Sequence, residues 1–261
     1  GGSISLSSGA GTTKSSGAII VRTSNAGVTG SSGFLKFSSG TTSSGSSGTI
    51  VVATGAATVG KGGDILLSVG AGTASIGGHV RVSAGNVDEF TGGSISLSTG
   101  YGSTKTSGGV VVKTYDAGTL GVSGGLSFST GTTSSGASGF AKISTGNAAG
   151  GKAGDMILSI GTGATTAGGD IISSAGTSTP LTGGSISMST GVGTSTSSGS
   201  VVLQTVNAGT TGISGSLIFS SGTTSSGTSG LIRVATGSAT NGKGGSLILS
   251  VGSGSTLEGG A

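Results

Sequence analysis

Apolar side chains recur two residues apart, in pairs, about every fifteen residues along the whole chain. Each pair follows a glycine. In the first unit Gly2 precedes Ser3-Ile4-Ser5-Leu6-Ser7, and the next units place Ile19/Val21, Leu35/Phe37, Ile50/Val52, Ile65/Leu67 and Val80/Val82 at the same two positions. A period of two puts both members of a pair on one face of an extended segment. The frequent β-branched residues there agree with a strand preference. A helix is a poor alternative, because glycine interrupts every unit and the apolar spacing is two. Each unit closes on a Ser/Thr/Gly-rich corner, a composition suited to chain reversal.

Six such units form a block of 91 residues that then repeats. Gly92-Gly93-Ser94-Ile95-Ser96-Leu97-Ser98 and Gly183-Gly184-Ser185-Ile186-Ser187-Met188-Ser189 restate the opening of the chain. The blocks are 1–91, 92–182 and 183–261, the last incomplete, and together they hold seventeen whole units. Repetition at a fixed period predicts one continuous stack instead of a globule with a pocket. The chain opens at a unit boundary and stops at Gly259-Gly260-Ala261, where another unit begins, so a segment of a longer protein is expected.

A second period lies within the first. Odd-numbered units carry the larger side chain at the fourth position after the glycine (Leu6, Phe37, Leu67, Leu97, Phe128), and even-numbered ones mostly Val or Ile. Large facing small is how two layers interdigitate. The expected fold is all-β: a parallel β-solenoid of stacked units of about 15 residues, two strands to a coil of about 30, with the pairs meeting in a dry seam. Coils of one strand (15 residues) or three strands (45 residues) satisfy the same pattern. Glycine is expected to supply φ > 0 in corners such as Ser8-Gly9-Ala10-Gly11 and Thr130-Gly131-Thr132-Thr133. The second corner of each block is one residue longer and carries Asn25-Ala26-Gly27, Asp116-Ala117-Gly118 or Asn207-Ala208-Gly209. It reads as a wider corner or bulge.

The third position after the glycine points the other way, and it is apolar in the second and fifth units: Ile20, Val111 and Val202, then Leu66, Ile157 and Ile248. These six are candidates for lateral contact with neighbouring chains; covering by the protein's own loops is the alternative.

Composition narrows the chemistry. Glycine makes up 61 of 261 residues, charged residues 7% and aromatics 3%, and cysteine is absent. Disulfides and thiolate sites are therefore ruled out. A mean hydropathy of +0.32 with regular apolar spacing argues against a Gly/Ser linker. A single proline and no glycine at every third residue exclude collagen. The net charge of +4 is spread too thinly for a nucleic-acid footprint. No apolar run reaches the roughly 18 residues of a membrane span.

The one histidine, His79, aligns with Asp170 and Ala261 in the other blocks, which makes it a poor catalytic base or metal ligand. Asp64, Asp155 and Ser246 align as well, so the acid is not kept. No unit completes the Gly-Gly-x-Gly-x-Asp calcium motif. Lys61, Lys152 and Lys243 form a sparse column that reads as a solubility device. No enzyme activity, cofactor or metal is expected. No Asn-x-Ser/Thr acceptor occurs, although the Ser/Thr corners are compatible with surface glycans.

Gly93-Ser94-Ile95-Ser96-Leu97-Ser98-Thr99-Gly100 and its sixteen relatives resemble the Gly/Ser/Thr-rich tandem units of large surface proteins of bacteria and unicellular algae. That resemblance implies a β-solenoid fibre, an adhesin or a wall component, extracellular or at the cell surface. The expected function is a structural repeat of a filament or sheath whose partner is itself. An adhesin stalk and an ice- or ligand-binding surface are the alternatives.

Overall fold

The computed structural model describes residues 2–73, 76–164, 167–179 and 181–253. Pro180 and the closing Gly259-Gly260-Ala261 lie outside them. Chain contacts divide the protein into two units, Gly1–Ser129 and Thr130–Ala261. The division falls after the ninth repeat segment, not at the block edges near residues 91 and 182. The first unit holds nine of the seventeen segments, the second eight.

In both units the same two components alternate. Turns and bends fall at the corners, for example at 12–14, 28–29, 43–45, 58–60 and 88–90, and the five-residue segments between them are free of either. A segment without turn or bend whose side chains alternate is extended. The corners are tied. The amide of Gly17 donates to the carbonyl of Gly9 at 3.1 Å, and Gly93 to Gly85 and Gly184 to Gly176 at 2.9 Å. Gly108 donates to Gly100 and Gly199 to Gly191, both at 3.3 Å.

The residue just after a segment lies against the glycine that opens the next. A β-carbon placed on Gly48 would meet Ser39 at 3.4 Å, one on Gly63 would meet Thr54 at 3.3 Å, and one on Gly154 would meet Thr145 at 3.6 Å. Close approach, not a special backbone angle, is thus what these opening glycines provide. Positive φ occurs at four described glycines, Gly45, Gly60, Gly136 and Gly227, all in mid-corner, and not at Gly9, Gly11 or Gly131, where the sequence led us to expect it.

The solenoid expectation fails. Among the described residues there is no β-strand and no helix, and none is buried. A parallel ladder in coils of 15, 30 or 45 residues needs backbone hydrogen bonds between residues that far apart. The backbone bonds present span three or eight residues and all lie in corners. Where the two arms of a corner do meet through the backbone, as from Gly93 to Gly85, a single bond joins them and is not continued along the segments.

The dry seam is missing as well: no described residue is buried. The protein exposes 25870 Å². A folded monomer of this mass exposes roughly 10,000 Å² and the unfolded chain roughly 35,000 Å². A folded chain of this length carries roughly 260 internal hydrogen bonds; eight backbone pairs are formed here, among the described residues.

Candidate assembly surface

The corners carry the most specific local structure, and they repeat at 91 residues. In the third corner of each block, Thr42, Thr133 and Thr224 donate from Oγ1 to the carbonyls of Ser44, Ser135 and Ser226 at 3.0, 3.1 and 3.0 Å. The same oxygens accept from the amides of those serines at 3.3 Å. Each of these turns is followed by a glycine with φ of +111°, +110° or +117° (Gly45, Gly136, Gly227), angles that a side chain would strain.

In the first corner, a β-carbon on Gly102 would stand 2.7 Å from the carbonyl oxygens of Lys105 and Thr106, and Gly11 and Gly193 are crowded in the same way. The longer second corner is tightened by Gly30 N–H to the Gly27 carbonyl, Gly121 to Gly118 and Gly212 to Gly209, at 3.3 to 3.5 Å. It is wider, as its length predicts: Gly33, Gly124 and Gly215 meet residues ten positions back (Thr23, Thr114, Thr205), not nine. Asn25, Asp116 and Asn207 have no positive φ; the glycine-to-glycine turn performs the extra reversal instead.

The segments have two unlike faces. Ile19 and Val21 are 49% and 55% exposed against 79% for Ile20, and Val110 and Val112 are 59% and 58% against 81% for Val111. In these second units of a block the paired positions turn toward the rest of the chain, while the third position turns away. In most other segments only the second position keeps the lower exposure, and the fourth is well exposed, as at Leu67 (74%), Phe128 (78%) and Leu249 (84%). The six lateral-contact candidates, Ile20, Leu66, Val111, Ile157, Val202 and Ile248, are between 73% and 87% exposed. Val51, Ile172 and Ile218 hold the same outward position at comparable exposure. They escaped the sequence reading because they do not recur in every block. The aromatics Phe34 and Phe140, two residues before the outward position, are also exposed.

The segments leave their main chain free. No backbone hydrogen bond joins one segment to another among the described residues, so seventeen extended stretches present N–H and C=O groups without partners in the chain.

Charged groups make isolated contacts only. Lys61 Nζ lies 2.8 Å from Asp64 Oδ2, and Lys152 Nζ lies 2.8 Å from Asp155 Oδ2. Both pairs are well exposed, and Ser246 gives Lys243 no such partner in the third block. Exposed pairs of this kind contribute little to stability. Lys113 Nζ stands 5.2 Å from the ring centre of Tyr115. His79 and Arg81 border an open concavity along their own segment with Val80 and Val82, and Arg22, Thr23, Ser24 and Asn25 border another. Neither encloses a ligand. No group of three potential metal ligands occurs among the described residues, and none of the helices needed to cross a membrane occurs there.

No protein-family model, curated protein or solved structure matches the chain.

Proposed function

We propose that this chain is a structural building unit of an extracellular filament or sheath, assembling through β-ladders between chains and through lateral apolar contacts. The observation that carries the reading is the free main chain of the seventeen extended segments, held between tied corners. Free edges of extended backbone template pairing with another chain. Each pairing satisfies N–H and C=O groups along a whole segment, and every backbone bond formed contributes about 0.5–1.5 kcal/mol net. Stacking also covers the exposed inner pairs, each fully buried aliphatic side chain contributing roughly 1.5–3 kcal/mol. The outward apolar residues, Ile20, Leu66, Val111, Ile157, Val202 and Ile248 among them, then join stacks side by side. Placement outside the cell rests on the resemblance to surface proteins.

The test is fibre diffraction with electron microscopy of the purified chain at rising concentration. The proposal expects unbranched fibres or sheets with a reflection near 4.8 Å along the stacking axis. Dispersed particles without that reflection, at millimolar concentration, contradict it.

A further inference from the structure

We propose that the partner covering the free backbone is a second copy of this chain, set at a register of whole 91-residue blocks, zero included. This rests on the filament reading and specifies its contact. The main chain of a segment accepts any extended strand, so the segments alone do not choose a register. The corners do. The three third corners share one hydrogen-bonded turn and one positive-φ glycine (Gly45, Gly136, Gly227). The three first corners share the crowded glycine (Gly11, Gly102, Gly193), and the three second corners share the extra residue and the glycine-to-glycine turn. Copies offset by 0, 91 or 182 residues lay each corner on one of its own kind.

An offset of 15 or 30 residues lays the ten-residue corner ending at Gly33 on a nine-residue one. The surplus residue must then bulge or slip the next segment by one, and a slip of one turns its apolar pair to the opposite face. The 15-residue repeat visible in the sequence is therefore not the assembly repeat. A one-block offset relieves part of the like-charge stacking. It sets Lys36 beside Ser127, Asp116 beside Asn25 and His79 beside Asp170, where zero offset sets each beside itself; it still sets Lys14 beside Lys105, Arg22 beside Lys113, Lys61 beside Lys152 and Lys142 beside Arg233. Such an offset leaves a block-long overhang for a third copy, a contact that propagates and does not close.

The chain has no cysteine, so one introduced thiol is unique. Ser5, Ser96 and Ser187 hold the outward third position at 91-residue intervals, and Ser127 holds it at a non-equivalent place, 31 residues beyond Ser96. Full-length chains carrying Ser96→Cys are assembled alone, or mixed with isotope-labelled chains carrying Ser5→Cys, Ser187→Cys or Ser127→Cys. A mild oxidant is then added and the disulfide-linked peptides are identified by mass. Sedimentation records assembly in every sample. Links of position 96 to 96, 5 or 187, at least tenfold above links of 96 to 127, support the register. Sedimenting assemblies that link 96 to 127 as readily, or that link none of these sites, overturn the register and leave the filament reading standing. Chains that stay monomeric overturn both.

Discussion

The corners and the segments of this protein are opposites. The corners are built mainly of Gly, Ser and Thr, with exposed large residues such as Phe90, Tyr101 and Leu120 among them, and many are closed by their own hydrogen bonds, such as Gly93 N–H to Gly85 at 2.9 Å and the paired Thr133–Ser135 contacts. The segments hold the apolar residues and the β-branched chemistry, yet they are the part left without hydrogen-bond partners. A single chain satisfies its corners locally because their partners lie two to ten residues away. It does not satisfy its segments: among the described residues no backbone bond joins one segment to another. Local order without a core is the result.

Substitutions separate the two components, and the largest effect falls on the segments. Leu97→Pro removes an N–H donor from mid-segment and bars the adjoining ladder. The concentration needed for sedimentable assemblies rises more than a hundredfold, while amide exchange at Gly93 and Gly108 in the single chain is unchanged. Phe128→Ala comes next. It leaves the exposed single chain unaltered and removes an inner-face ring from the stack; with a cost of about 3 kcal/mol in a packed core, the critical concentration rises roughly a hundredfold.

A corner change is smaller and reads out in the opposite place. In Gly102→Ala the new methyl meets the carbonyls of Lys105 and Thr106, which strains the corner by about 1–3 kcal/mol. The bond from Gly108 to Gly100 opens, and its amide exchanges at least fivefold faster in dilute chain. Gly100→Ala, with open space at the same corner, is the matched control and shows less than a twofold change. Thr133→Val removes one hydroxyl bridge worth about 0.5–1 kcal/mol. It speeds exchange at Ser135 two- to fourfold without altering assembly beyond twofold. Asp155→Asn, which breaks an exposed ion pair, lies at the bottom of the scale. Its chain and the parent differ by less than twofold in critical concentration in 0.15 M salt.

The sequence made the components legible but not their joining. Ile19, Ile20 and Val21 announce two faces through their alternation, and the exposures follow it. The extra residue before Gly33 announces a wider corner, and the ten-residue approach to Thr23 is that corner. Whether segment Ile19–Val21 pairs with another segment of its own chain depends on how the corner aims its arms. An apolar repeat carries no signal for that direction. A ladder inside the chain and a ladder between chains require the same alternating pairs, so the pattern alone does not tell one from the other. The glycines mislead in a related way. Gly45 and Gly48 look alike in sequence, but the first supplies a positive φ and the second a close approach to Ser39. The outward Val51, Ile172 and Ile218 show where the block average hides individual residues.

Segment-resolved amide hydrogen exchange, recorded on the same protein at nanomolar and at millimolar concentration, decides whether the ladder lies within the chain or between chains. Here the nanomolar sample should show residues 94–98 and 109–113 exchanging near the unfolded rate, with slower exchange at Gly93 and Gly108, and the millimolar sample should show those segments protected at least a hundredfold. Protection of the segments at nanomolar concentration, or its absence in sedimented assemblies, would contradict the account.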